Sequence, residues 1–110
     1  MNFKEIKIKE VLKEFKDGDK NRSLNSLLKL IKDNPDELDL SLLYGKMCLE
    51  VNKLDEAEKI FLFLLNKNKK SLDYLKSIYL IYLKKNNIQE AKVYIKKILN
   101  IDPKNYIALR

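Results

Sequence analysis

The chain has 110 residues, of which 45% are hydrophobic and 35% charged, and it carries a formal net charge of +7 at pH 7. Its length suits one domain, and its apolar content argues against an intrinsically disordered chain. Histidine is absent and Cys48 is the only cysteine, which excludes an internal disulfide and a structural zinc site. Only two glycines and two prolines interrupt apolar residues that recur every three or four positions, so we predict an all-α fold.

The N-terminal segment MNFKEIKIKEVLKEF carries a charge every two or three positions, so it lacks the uninterrupted apolar stretch of a secretory signal. No window of the sequence approaches the roughly 20 apolar residues that span a bilayer. We therefore expect a cytoplasmic protein without a membrane partner.

Three polar segments, KDGDKNR, VNKLD and KKNNIQ, divide the amphipathic stretches, and positions 34 residues apart resemble one another. Each period therefore predicts two amphipathic helices, one on either side of its polar segment. We place repeat 1 at about 4–36, repeat 2 at about 37–70 and repeat 3 at about 71–104, with 105–110 as the start of a further helix or a truncated cap. The matching positions are Gly18, Asn52 and Asn86; Ser23, Ala57 and Ala91; Leu27, Phe61 and Ile95; and Leu30, Leu64 and Ile98.

The polar segments also predict helix ends. Glycine and asparagine tolerate the left-handed conformation that ends many helices, so we predict that the first helices stop at Gly18, Asn52 and Asn86. In repeat 2 we predict that the second helix begins at Asp55, where acidic residues complement the positive end of the helix dipole.

Small residues predict how the two helices of a repeat meet. Ser23, Ala57 and Ala91 each stand one turn before a large apolar residue, which lets the neighbouring backbone approach closely. Gly45 is expected to serve the same approach, because a glycine inside a helix costs about 1 kcal/mol relative to alanine and needs a packing reason.

These positions resemble the signature of the tetratricopeptide repeat (TPR) family. In repeat 1 the match requires a turn one residue shorter than in the other repeats. The resemblance implies a right-handed α-solenoid of antiparallel helix pairs, whose first helices line a concave groove for a partner peptide or helix. It thus implies a non-catalytic protein–protein interaction scaffold. The matching residues are Ile8, Val11, Leu12 and Phe15; Tyr44, Gly45, Cys48, Ala57 and Phe61; and Leu75, Ile78, Tyr79, Tyr82, Ala91, Ile95 and Pro103.

Once the core positions are subtracted, the first helices present lysines around a central leucine patch. Such a groove would suit a peptide with Asp or Glu around one or two apolar anchors. The alternative is that the leucines are ordinary packing residues and the lysines a solvated face. The predicted groove residues are Lys9, Lys13, Lys16, Leu42, Leu43, Lys46, Leu49, Lys76, Leu80, Leu83 and Lys84.

Some members of the family hold the terminal carboxylate of a chaperone tail with Lys, Asn, Asn, Lys and Arg. Leu43 cannot donate a hydrogen bond and Asp73 would repel a carboxylate, which argues against this specialised use. The corresponding positions here are Lys9, Lys13, Leu43, Asp73 and Ser77.

RNA or another anionic polymer is the alternative partner, because the many lysines occur with tyrosines whose rings could stack on bases. The argument against it is that arginine, the residue best suited to base contacts, occurs only at Arg22 and Arg110. The tyrosines concerned are Tyr74, Tyr79, Tyr82, Tyr94 and Tyr106.

We expect no enzymatic activity and no cofactor, because the chain has no histidine and no nucleophile in a recognisable catalytic setting. Cys48 occupies an inward-facing repeat position, which predicts a buried, inert thiol. We expect no capping helix at the C-terminal end, so either the chain is a fragment of a longer array or this end pairs with another copy. The candidate self-association residues are Tyr94, Leu99, Ile101 and Tyr106, and the first three are expected to stay partly exposed.

Overall fold

The computed structural model describes residues 2–105, which form six α-helices and no strand. Each helix packs against the next one along the chain, so short turns join the helices into three successive antiparallel hairpins. This succession confirms the predicted all-α solenoid. The helices are α1 (Phe3–Asp17), α2 (Lys20–Asp33), α3 (Leu38–Glu50), α4 (Leu54–Lys67), α5 (Leu72–Lys84) and α6 (Ile88–Ile101).

The helix positions follow the sequence period. The second helices α2, α4 and α6 begin at Lys20, Leu54 and Ile88, which are 34 residues apart. The turn inside the first hairpin contains two residues, 18 and 19, whereas the equivalent turns contain three, 51–53 and 85–87. The expected one-residue shortening in the first hairpin is therefore confirmed.

Two of the three predicted helix stops adopt the left-handed conformation. Asn52 has φ 62° and Asn86 has φ 60°. The residue after each of them then closes the helix, because the Lys53 N–H donates to the Cys48 carbonyl and the Asn87 N–H donates to the Tyr82 carbonyl, both at 2.8 Å. These bonds satisfy carbonyls that the end of a helix otherwise leaves without a partner.

Helix α1 stops at Gly18 as predicted, but the conformation of Gly18 and the first residue of α4 differ from the prediction. Gly18 has φ −128° and is not left-handed, because the shorter turn is closed by a side chain: the Asp19 N–H donates to Oε1 of Glu14 at 3.1 Å. Helix α4 begins at Leu54, so Asp55 lies in its first turn and does not cap it. The negative charge of Asp55 still lies beside the positive end of the helix dipole.

A shared apolar interior runs through all three hairpins. The small residues Ser23, Ala57 and Ala91 are completely or almost completely buried. A Cβ atom added to Gly45 would lie 2.9 Å from Cε2 of the Phe61 ring, which confirms the close approach predicted between α3 and α4. Ile95 is only half-buried, unlike Phe61 one period earlier.

None of the helices within residues 2–105 combines the length and the hydropathy that a bilayer-spanning segment needs.

Candidate functional site

Ion pairs place the first helices of the three hairpins beside one another. Nζ of Lys46 on α3 lies 3.9 Å from Oδ2 of Asp73 on α5. At the other end of the array, Lys4 on α1 pairs with Glu37, at the start of α3, and lies 3.6 Å from Oδ2 of Asp39. The hydrogen bond with Glu37 raises the pKa of Lys4. These contacts link neighbouring first helices, and we call the exposed side of these helices the first-helix surface (α1, α3 and α5).

The predicted groove lysines belong to α1, α3 and α5 and reach solvent. Five of them are exposed and Lys76 is half-buried. Within residues 2–105, Lys46 is the only one of the six in an ion pair. The other five have no carboxylate oxygen of the described chain within 4 Å of their ammonium groups. The six are Lys9, Lys13, Lys16, Lys46, Lys76 and Lys84.

The predicted groove leucines divide into two groups. Four of them are half-buried and pack against the core, which favours the alternative that these leucines are ordinary packing residues. The four are Leu42, Leu43, Leu49 and Leu83. Leu80 is 45% exposed, which makes it the most accessible leucine of the set. It lies on α5 at four-residue spacing from Lys76 and Lys84, and hence on the same helix face.

The negative charge on this surface was not predicted from the sequence. Asp73 was expected only to repel a carboxylate, whereas the structure pairs Asp73 with Lys46. Neither residue signals this pairing in the sequence, because it depends on the lateral register of α3 and α5. The pairing neutralises part of the lysine charge between the second and third hairpins.

A second polar cluster joins α4 to α5. Lys85 pairs with Asp55, 2.6 Å from Nζ to Oδ1, and with Glu58, which also accepts a 3.0 Å hydrogen bond from the Tyr82 hydroxyl. The hydrogen bonds with Asp55 and Glu58 raise the pKa of Lys85, and Lys85 lowers the pKa of Asp55. Burial, with the bond to Glu58, raises the pKa of Tyr82 to about 12. The cluster fixes one hairpin to the next and contains no reactive group.

Most of the tyrosine rings that the nucleic-acid alternative requires lie inside the protein. Tyr79, Tyr82 and Tyr94 are buried, and the last two stack on each other with ring centroids 5.7 Å apart. Tyr74 is half-buried, its ring tilted against Phe61. These rings do not form an exposed row for stacking on bases. The remaining tyrosine of that set, Tyr106, lies outside the described residues.

The proposed self-association end is only partly accessible. Ile101 is 39% exposed and Leu99 is half-buried. The expectation that Tyr94 stays partly exposed was wrong, because its ring packs on Tyr82 and only 9% of the residue is accessible. Tyr106 falls outside the part of the chain that the structure describes.

Cys48 is completely buried in α3, as predicted for an inert thiol. Burial raises the pKa of this thiol, which keeps it protonated at neutral pH. In the described part of the chain, no three side chains of His, Cys, Asp or Glu come together in a way that could hold a metal ion.

Comparisons with known proteins bear on the fold. No protein-family model and no curated protein matches this sequence. Among solved structures, MamA of AMB-1 has a TM-score of 0.82 at 18% identity, covering 97% of this chain and 58% of that chain. MamA of MSR-1 has a TM-score of 0.80 at 19% identity, covering 99% of this chain and 63% of that chain.

A further solved structure is the first TPR of Spaghetti (RPAP3), bound to the HSP90 peptide SRMEEVD. Its TM-score is 0.70 at 17% identity, covering 96% of this chain and 86% of that chain. The present chain thus spans less than two thirds of the length of the two MamA structures. At these identities the likeness concerns the fold alone: the chain folds as a TPR-like array of three helical hairpins.

Proposed function

We propose that the chain is a non-catalytic scaffold that binds a peptide or helix of a partner protein along the first-helix surface. One observation supports this most: Leu80 is 45% exposed on α5 and stands between Lys76 and Lys84, which form no ion pair in residues 2–105. An exposed leucine flanked by free cations is a suitable contact for an apolar side chain with acidic neighbours.

The contacts available favour a weak and salt-sensitive complex. Covering the exposed part of Leu80 contributes about 1 kcal/mol, since complete burial of a leucine is worth roughly 1.5–3 kcal/mol. Each exposed ion pair adds roughly 0.2–1 kcal/mol and is screened by salt. Specificity then comes from the order of acidic and apolar residues in the partner.

The RPAP3 domain supports a peptide ligand for this fold, and its peptide, SRMEEVD, contains acidic residues. The present chain differs at the positions where relatives of that kind hold a terminal carboxylate. Leu43 is half-buried and has no donor, and Asp73 is already paired with Lys46. We therefore favour recognition of acidic side chains within the partner over recognition of its C-terminal carboxylate.

Charge reversal on α5 tests the proposal. The tagged wild-type chain and the variant Lys76→Glu/Lys84→Glu are used to capture proteins from a lysate of the source organism, and the affinity of the recovered partner is then measured. The control is Lys32→Glu/Lys59→Glu, which makes the same charge change at exposed positions on α2 and α4. We expect the α5 variant to lose the partner and the control to keep it. Equal affinity of the wild type and the α5 variant would overturn the proposal.

Self-association through the C-terminal end is a second proposal, favoured by the exposed Ile101 on α6. Replacing Ile101 with Asp should shift the sedimentation profile toward the monomer, because a charge cannot be buried in an apolar contact without a partner. A wild-type chain that sediments as a strict monomer at high concentration would refute self-association.

A further inference from the structure

A cleft of about 340 Å³ lies between α4 and α6, outside the first-helix surface. Its lining comes from the second helices and from the turn between α4 and α5. Two half-buried leucines form its apolar part and three exposed polar side chains surround them. We call it the basic cleft, and its residues are Leu62, Leu65, Asn66, Lys69 and Lys97.

The positive charge of the chain is concentrated in the segment that contributes Lys69 and Lys97 to this cleft. Residues 67–105 contain ten lysines and three acidic residues, whereas residues 2–66 contain twelve basic and thirteen acidic residues. The whole net charge therefore belongs to the end of α4 and the third hairpin. Five of these lysines lie at the end of α4, in the turn that follows it or in the second half of α6, and none forms an ion pair in the described chain. They are Lys67, Lys69, Lys70, Lys96 and Lys97.

The packing of the repeat does not require a lysine at position 97. One period earlier the same position holds Phe63, an apolar residue. The positions of Leu62 and Leu65 remain apolar one period earlier, where Leu28 and Ile31 are also half-buried. The cleft between the second and third hairpins thus keeps the apolar residues of this position in the array, on α4, while the third hairpin supplies a cation in place of an aromatic ring.

A second cleft, of about 550 Å³ between α1 and α2, provides a contrast. Its lining includes three basic and three acidic side chains, so its charges are balanced and favour neither sign of ligand. The basic cleft has two lysines and no acidic side chain in its lining. Of these two clefts, the basic cleft is the one that selects for an anionic ligand.

We propose that the basic cleft is a second docking surface, and that it takes an acidic protein segment with an apolar residue between its carboxylates. The apolar residue contacts Leu62 and Leu65, while the carboxylates pair with Lys69 and Lys97. The segment binds at a site separate from the first-helix surface, so one chain can hold two acidic segments at once.

The chemistry of the cleft favours protein over other polyanions. Residues 67–105 contain no arginine, the side chain best suited to bidentate contacts with phosphates and base edges. Tyr82 and Tyr94, the aromatic rings near α6, are buried and cannot stack on bases. Leu62 and Leu65 are half-buried in the cleft, whereas a lipid surface needs protruding apolar side chains.

The test is a titration of the ¹⁵N-labelled chain with a synthetic peptide in which two leucines stand among glutamates and both ends are blocked. We expect the amide resonances of Leu62, Leu65 and Asn66 to shift as the peptide binds. The variant Lys69→Glu/Lys97→Glu should weaken this binding about tenfold, which corresponds to about 1.4 kcal/mol. A peptide with serine in place of leucine should also bind about tenfold more weakly, since it lacks the apolar contact.

The control is again Lys32→Glu/Lys59→Glu, which should stay within about twofold of the wild-type affinity. Circular dichroism of each variant verifies that it is folded, as expected for substitutions of exposed lysines. The variant Lys76→Glu/Lys84→Glu separates the two proposals, because it removes binding at the first-helix surface and leaves the shifts at the basic cleft unchanged.

Three results would overturn the proposal. The first is a peptide that causes no shift at Leu62, Leu65 and Asn66 at millimolar concentration. The second is an affinity at the cleft that Lys69→Glu/Lys97→Glu leaves unchanged. The third is that polyuridylate or phosphatidylserine vesicles bind more tightly than the peptide and that Lys69→Glu/Lys97→Glu abolishes this binding. Such a result would assign the cleft to that polyanion.

Discussion

The contact between Gly45 on α3 and the ring of Phe61 on α4 provides a sharp prediction. Alanine at position 45 would place a methyl group 2.9 Å from Cε2 and 3.2 Å from Cζ of this completely buried ring. Overpacking of this kind costs about 1–3 kcal/mol. Removing a glycine from a helix interior contributes about 1 kcal/mol in the opposite direction. Gly45→Ala should therefore destabilise the chain by up to about 2 kcal/mol.

The sign of this effect should change when the ring is shortened. Phe61→Leu removes the Cε2 and Cζ atoms that the new methyl group would contact, at a cost of roughly 1–2 kcal/mol for the ring itself. In that background the 3.1 Å approach to Cγ2 of Ile60 remains. Gly45→Ala should then be neutral or stabilising by up to about 1 kcal/mol, a coupling of about 1–3 kcal/mol between the two positions.

Urea denaturation of the wild type, both single variants and the double variant measures this coupling. A domain of this size has a free energy of unfolding of about 5–15 kcal/mol, so all four proteins should be folded. If Gly45→Ala changes the unfolding free energy equally in both backgrounds, to within about 0.5 kcal/mol, α3 and α4 do not approach as described.

Three further predictions concern helix ends, charge and the thiol. Asn52→Ala should lower the unfolding free energy by about 1–2 kcal/mol because of its left-handed φ. Gly18→Ala should lower it less, by about 0.5–1 kcal/mol, because the new Cβ would lie 2.6 Å from Oε2 of Glu14 and displace the carboxylate that accepts from the Asp19 N–H; thermal unfolding distinguishes the two variants. Because Lys85 lowers the pKa of Asp55, the ion pair stabilises the fold above about pH 4, and this stabilisation is lost as the pH falls. The variant Lys85→Met should return the pKa of Asp55 to its usual range, which an NMR titration measures. Cys48 should react with a thiol reagent only when the chain opens, so urea should accelerate the reaction.

The helices and most of the core could be predicted because they depend on short-range patterns. Apolar spacing of three and four residues identifies a helix face, and the 34-residue period identifies which faces are equivalent. Asn52 and Asn86 could be recognised as helix stops because their side-chain type suits the left-handed conformation. The same rule predicted the helix stop at Gly18 but not its conformation, because the carboxylate of Glu14 closes a shorter turn there.

The surface contacts were harder to predict because they depend on how neighbouring hairpins are placed. The pair between Lys46 and Asp73 needs the lateral register of α3 and α5, which no pattern within either helix contains. The burial of Tyr94 depends on the orientation of α6 against Tyr82. The concentration of lysines after residue 66 is visible in the sequence, but only the structure shows that Lys69 and Lys97 line one cleft between α4 and α6.

The central claim is that the three hairpins stack in succession and do not close into a bundle. Nuclear Overhauser effects between side chains of different helices test this most directly. We predict contacts across successive hairpins, such as the one between the rings of Phe61 and Tyr74, whose centroids are 6.5 Å apart. Contacts between α1 or α2 and α5 or α6 would indicate a closed bundle and contradict the account.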